Sequence, residues 1–285
     1  MSHVICFYHS ADLDGSCSGA IVKKAFPDAE MIGYNYGKPF PWNKIKGKQV
    51  IMVDISLPID EMIRLDEECT LTWIDHHKSI IADAEERDFN PDGIREIGLA
   101  ACELAWDFFF SRYTTPATVR MIGRYDVWDH EDVRVLPFQY GMRQRIKKGP
   151  LDDLWQILFV WNTDLDDDFQ AIIKEGESIL DYKTGEDQKY LKTAGFTTEL
   201  DGLKIVACNK GLSNSNLFKS FPDLQQYDAV CTFYLTKGMQ WRISLYAVNQ
   251  DIDVSVICKA RGGGGHKRAA GFQAEVLPTW LTQKS

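Results

Sequence analysis

"VICFYHSADLDGSCSGA", residues Val4–Ala20, sets an apolar run before one histidine and two aspartates, His9, Asp12 and Asp14, and then a row of small residues. Val4–Tyr8 is short, apolar and β-prone, the pattern of a buried strand. Ser16–Phe26 reads as a helix with small residues at its start. Two later stretches have the same build. "QVIMVDIS" predicts a strand ending at Asp54, and "TLTWIDHH" a strand ending at Asp75. Helical spacing fills Leu57–Glu68 between them, with Pro58 near its start, and further helices are expected over Leu99–Arg112 and Thr115–Ile122. Strands alternating with helices predict an α/β fold whose N-terminal part is a doubly wound parallel sheet. Such sheets bind ligands at the carboxyl ends of their strands. His9, Asp12, Asp14, Asp54, Asp75, His76 and His77 all fall at those ends.

The chain has 285 residues, 45% of them hydrophobic, which supports one large domain or two modest ones. Its formal charge of -9 argues against coating long nucleic acid by electrostatics. The charge is uneven: residues 202–285 carry 10 basic and 5 acidic side chains, and residues 1–201 carry 22 and 36. An acidic front and a mildly basic back suit a protein that holds cations in one part and an anion in the other. None of the seven cysteines forms a CxxC pair, so buried free thiols and a reducing, cytoplasmic setting are expected. The start "MSHVICFYHSAD" lacks the pattern of a signal peptide, and no run of about 18 apolar residues predicts a membrane span.

Residues 151–192 are charged and helical in period and read as helices linking two domains. Beyond Ala194, "GFTTELDGLKIVAC" predicts a hairpin turning at Asp201-Gly202. "DAVCTFYLT" and "QWRISLYAV" predict a second, around Lys237-Gly238. The expected organisation is 1–150 as the metal-binding domain, 151–195 as a helical linker and 196–285 as a smaller substrate-binding domain.

Aspartate and histidine are good ligands for divalent cations of hard to borderline character. Carboxylates crowded along one sheet edge repel each other unless cations neutralise them, and Asp54 is placed to bridge two such ions. Asp12 and Asp14, as alternate residues of an extended chain, would face different ions. His76 and His77 cannot point the same way if the strand continues, so one is expected on metal and the other on a ligand. "RYDVWDH" offers Asp126 and, as a weaker choice, Asp129. His3 and His130 read as surface residues. Near the C-terminus, "RGGGGHKRAAGF" sets four glycines before a basic cluster. Successive backbone N–H groups in such a run can cradle an anion, and Arg261, His266, Lys267 and Arg268 add donors.

Taken in order, "HSADLDG", "VDIS", "DHHKS", "RYDVWD" and "GGGGHKRAAGF" resemble the DHH phosphoesterases that carry a C-terminal DHH-associated domain, the nanoRNase and pAp-phosphatase type included. The five motifs run from His9 to Phe272. The resemblance implies two manganese or magnesium ions, Mn2+ first, in an α/β domain, and a smaller mixed-sheet domain facing that site across a cleft. It implies one ion on His9, Asp12 and Asp54, and the other on Asp14, Asp54, His76 and Asp126. It implies that Asp75 orients the neighbouring histidine and that His77 contacts the scissile phosphate. His266, Arg261 and Arg268, with the backbone of Gly263, Gly264 and Gly265, would hold a phosphate or nucleotide end. His9 departs from the nanoRNase-like pattern, standing one residue closer to the first aspartate.

The expected activity is hydrolysis of phosphodiester or phosphomonoester bonds by a metal-activated water. The expected partners are short oligonucleotides or nucleotides, with no long duplex and no membrane; oligomeric state is left open. Two alternatives stand beside it: a phosphoanhydride hydrolase acting on pyrophosphate or polyphosphate, and a nucleotide-binding regulatory module without turnover.

Overall fold

The computed structural model describes residues 4–160 and 166–282. His3 and part of the expected linker, 161–165, lie outside them. The chain divides into two compact units, Met1–Leu180 and Asp181–Ser285.

The first unit is built on β1 (Val4–His9), β2 (Glu30–Tyr34), β3 (Gln49–Val53) and β4 (Thr70–Ile74). They form a parallel sheet in the order β2-β1-β3-β4. Side chains alternate across a strand, and here both faces are apolar. Cys6, Ile51 and Val53 point into one core with α1 (Leu13–Ala25), α4 (Ala101–Phe110), α5 (Ala117–Asp126) and α6 (Val135–Arg145). Ile5, Phe7, Val50 and Met52 point into a second core with α2 (Ile59–Glu68) and α3 (Lys78–Glu86). Burial on both faces explains why these strands read as continuous apolar runs. β2 was not among the expected strands. It is an edge strand, only half-buried, and Gly33 interrupts its apolar run, which leaves little pattern to read. On the opposite edge, residues 92–95 continue the parallel pairing through bridges from Asp92 to Thr72 and Arg95 to Asp75.

The first helix begins at Leu13 rather than Ser16. The carboxylate of Asp12 caps it by accepting the Gly15 N–H at 3.0 Å. Asp14 therefore lies in a helical turn, and the extended-chain alternation expected for Asp12 and Asp14 does not apply. After α6 come the short α7 (Leu154–Leu158) and the long α8 (Asp167–Ala194), and the boundary between the two units falls inside α8.

The second unit carries β5 (Gly195–Leu200), β6 (Leu203–Asn209), β7 (Ala229–Leu235), β8 (Trp241–Ala247), α9 (Val254–Lys259), β9 (Gly264–His266) and β10 (Ala269–Ala274). The sheet order is β5-β6-β7-β8-β10-β9, mixed because β6 and β7 run parallel and the other pairs antiparallel. The first hairpin turns at Asp201-Gly202 as expected, both at positive φ (53° and 83°). In the second, the left-handed residue is Met239 (φ 59°) rather than Gly238. All seven cysteines are free thiols. Among the described residues no helix is long and apolar enough to cross a membrane.

Candidate metal centre

The acidic and histidine side chains of the first unit collect at the carboxyl ends of its strands. His9 ends β1, Asp12 and Asp14 open α1, Asp54 follows β3, Asp75, His76 and His77 follow β4, and Asp126 ends α5. Three groups bring ligand-type atoms within 4.8 Å of one another: His9 with Asp12 and Asp54; Asp14 with His76 and Asp126; and Asp54 with His76 and His77. Asp54 belongs to two of them. Its Oδ2 is 3.4 Å from His9 Nδ1 and its Oδ1 3.3 Å from His76 Nε2. His76 Nε2 is also 3.4 Å from Asp126 Oδ2 and 3.8 Å from Asp14 Oδ2. His9 Nδ1 stands 2.9 Å from Asp12 Oδ2.

Local structure fixes these positions. Asp54 has φ 58°, a left-handed conformation that aspartate tolerates better than bulky residues, and it turns the chain out of β3. Residues held in that region often mark functional sites. Asp14 is 2% exposed, and its two oxygens accept the Ala101 and Cys102 N–H groups at the start of α4, at 2.9 and 2.8 Å. Gly15 lets α1 press onto the end of β1, because a Cβ there would collide with the His9 carbonyl. Asp75 is wholly buried and holds the His-His turn. Its Oδ1 accepts the His76 and His77 N–H groups and meets His77 Nδ1 at 2.6 Å, while its Oδ2 accepts Trp73 Nε1–H at 3.1 Å.

The electrostatics are those of a site that lacks countercharge. Burial, with Asp54 beside it, pushes the Asp14 carboxyl up to about 7, and burial with Asp14 nearby does the same for Asp126. Burial raises Asp54 as well. Burial would lower His9, but Asp12 and Asp54 outweigh it and raise the imidazole to about 10. Asp54 and Asp14 do the same for His76. Protons thus balance the cluster, and a cation would displace them. Two buried polar atoms of the cluster, His9 Nδ1 and Asp54 Oδ2, make no hydrogen bond despite their nearness. A buried polar atom without a partner is costly, and both are ligand atoms. The imidazole and carboxylate donors, with these orphaned atoms among them, fit divalent cations of the manganese or magnesium kind.

Asp129 is outside the cluster, paired with Arg124 at 2.8 Å. His130 stacks on the Tyr125 ring. Sequence reasoning passed over Tyr36, whose ring lies 6.0 Å from that of His9 and 6.2 Å from that of His77. It follows the unread strand β2, and only a reading of β2 would have brought it to this edge.

In the second unit, the glycine run divides into a turn and a strand. Gly262 is left-handed (φ 76°), while Gly264, Gly265 and His266 form β9, the edge of the sheet. A Cβ at Gly263 or Gly265 would strike the backbone of β10, whereas Gly264 faces open space. The Arg261 guanidinium is engaged by Asp201 at 2.8 and 3.0 Å and by the Ile257 carbonyl. Arg268 and Lys267 lie in the β9–β10 turn, and their carbonyls accept the Ala247 and Val254 N–H groups.

No family model matches the chain. It is 24% identical over 242 residues to the uncharacterised protein R106 of Acanthamoeba polyphaga mimivirus, with 81% of this chain and 54% of that protein covered. The chain thus spans about half the length of that curated relative. Among solved structures it is similar to the DHH domain of a protein assigned to a family of ribosomal proteins (TM-score 0.64, 12% identity, 99% of this chain and 85% of that one). It is also similar to PggH of Vibrio cholerae, a pGpG-specific phosphodiesterase (TM-score 0.54, 12% identity, 95% and 93%). A third is RecJ of Thermus thermophilus in complex with Mn2+ (TM-score 0.51, 14% identity, 96% and 49%). The fold is that of the DHH-domain phosphoesterases.

Proposed function

We propose that this chain is a metal-dependent phosphoesterase of the DHH type, hydrolysing phosphoester bonds of short oligonucleotides or nucleotides. The observation that carries the reading is the three ligand groups joined to one another through Asp54 and His76, with His9 Nδ1 and Asp54 Oδ2 buried and unsatisfied. One divalent ion is assigned to His9, Asp12 and Asp54, and the other to Asp14, Asp54, His76 and Asp126. Mn2+ is the first candidate, as in the RecJ structure, and Mg2+ the second. Bound there, such ions supply Lewis-acid polarisation of a phosphoryl oxygen and lower the pKa of water.

The chain's own residues do the rest. The two amides at the start of α4 keep Asp14 in place. Asp75 fixes the tautomer and direction of His77, leaving Nε2 to face a phosphoryl oxygen or leaving group. The acidic ligands exclude anionic substrates until cations balance them. In the second unit, the backbone of Gly263, Gly264 and Gly265, with His266 and Arg268, is assigned to a nucleotide or phosphate end; Arg261 is assigned there through its support of the turn beside Asp201. The PggH likeness favours a dinucleotide over a long strand.

The test is a panel of dinucleotide, pAp, cyclic dinucleotide and pyrophosphate, each incubated with the protein and Mn2+ and resolved for products. Cleavage of a nucleotide ester supports the proposal. Cleavage of pyrophosphate alone would make the protein an anhydride hydrolase, and no turnover at all would make it a binding module. Asp14→Asn and His76→Ala are expected to lose more activity than the ~10–100-fold typical of an outer-shell partner.

A further inference from the structure

Two residues beyond Asp126 stands Trp128, which among the described residues is the only exposed tryptophan, at 49%. We propose that its indole is a stacking platform for a nucleobase of the substrate, on a nucleotide next to the scissile phosphate. This rests on the phosphoesterase reading, since Asp126 belongs to the assigned ligand set.

Three observations carry it. First, the position is unfavourable to the chain by itself. An indole left in water forgoes the gain of burial. Trp128 also holds a left-handed conformation (φ 63°), which bulky residues adopt only against steric resistance. Strained residues of this kind gather at ligand sites. Second, the ring is backed by others. The His130 ring lies 5.7 Å from that of Trp128 at 31°, and 5.4 Å from that of Tyr125 at 26°. The Arg143 guanidinium lies 5.6 Å from the Tyr125 ring. Such a row restrains the plane of its last member, and a base joins it as one more layer. Third, the loop that presents the indole is fastened. The Trp128 N–H donates to the Tyr125 carbonyl at 3.2 Å and the Asp129 N–H to the Arg124 carbonyl at 2.8 Å. Arg124 Nε meets Asp129 at 2.8 Å and its Nη1 meets Asp132 at 3.6 Å, while Arg134 pairs with Asp132 at 2.7 Å. Asp129, which stands outside the ligand cluster, thus holds the turn between Asp126 and the indole. A ring held in advance loses little freedom on binding.

Two residues of chain span at most roughly 7 Å, so a base on this ring belongs to a nucleotide whose phosphate is at the ligand cluster. Stacking reads the π-face of a base rather than its hydrogen-bond pattern. The chemical class is therefore a short nucleotide with a purine beside the scissile ester; pyrimidines bind more weakly and a base-free ester most weakly. One such stack corresponds to ~10-fold in affinity.

The experiment compares diadenylate, dicytidylate and the same sugar–phosphate dimer with both bases replaced by hydrogen. Binding is measured by titration calorimetry with Mn2+ on compounds carrying an internal phosphorothioate linkage, and cleavage on the natural ones. The full chain is expected to bind diadenylate at least ~10-fold more tightly than the base-free dimer, with dicytidylate between them. Trp128→Leu should bring that ratio close to unity, and Trp128→Phe, which keeps a smaller ring, should retain part of it. Titration of each variant with Mn2+ alone checks that Asp126 has stayed in place. A ratio near unity in the unsubstituted chain, or one that survives Trp128→Leu, overturns the platform. Should Trp128→Leu fail to fold, which a melting curve reveals, an undiminished ratio in Trp128→Phe overturns it instead. Cleavage of all three compounds bound with equal affinity overturns the platform alone. A ratio that depends on Trp128 without cleavage supports the platform and overturns the hydrolytic reading alone.

Discussion

At the residue scale, the site is organised by unsatisfied charge. Asp14 and Asp126 hold protons up to about pH 7, and His9 and His76 keep theirs to about pH 10. The signs add. A carboxyl raised above its unfolded value costs stability increasingly as pH climbs from about 4 to 7. An imidazole raised above its unfolded value contributes stability that is lost as pH climbs through about 10. Without metal the chain should therefore weaken from mild acid toward alkaline pH. A bound cation competes with those same protons, so the rise in melting temperature caused by Mn2+ should grow between pH 5 and 8. An increment that stays flat over that range would count against the assigned ligands. Asp75 makes a separate prediction. Its carboxylate outweighs burial and raises His77. Asp75→Asn should cost about 1–3 kcal/mol, because an amide N–H then faces a buried donor. It should also move the alkaline limb of the pH–rate profile to lower pH; an unmoved limb would remove His77 from the proton-transfer role.

At the scale of elements, α1 is the part on which the site depends most. Its start is set by the Asp12 cap and its approach to β1 by Gly15. Gly15→Ala should destabilise the chain by about 1–3 kcal/mol through overpacking and weaken metal binding by moving Asp12 and Asp14 together. Calorimetric titration with Mn2+ checks this; unchanged affinity would mean that the helix start adapts. The N-terminus of α4 plays the complementary part, since its first amides neutralise a share of the Asp14 charge. These two helix ends meet in space although 87 residues separate Asp14 from Ala101.

At the scale of the whole molecule, every residue of the candidate ligand clusters belongs to the first unit. Adding Mn2+ should therefore slow amide hydrogen exchange around His9–Gly15, Asp54, Asp75–His77 and the Ala101 and Cys102 amides. The β5–β8 strands should be unaffected. Equal protection across both units would point to a metal site elsewhere.

The fold class was legible from residue pattern alone. Val4–Tyr8, "QVIMVDIS" and "TLTWIDHH" are buried on both faces, so their apolar runs are unbroken and each ends where charge begins. β2 was not legible because a half-buried edge strand carries a diluted pattern. The hairpin at Asp201-Gly202 was legible because its turn demands residues that accept positive φ, while Met239 takes a left-handed conformation that its residue type does not announce. Sequence therefore determined the strand–helix alternation and the edge along which the acidic residues gather. Only tertiary structure decided which atoms meet there: that Asp14 is tied to α4, that Asp54 stands between His9 and His76, and that Tyr36 lies beside His9 and His77. Those contacts join residues far apart in the chain, and no local periodicity encodes such distances.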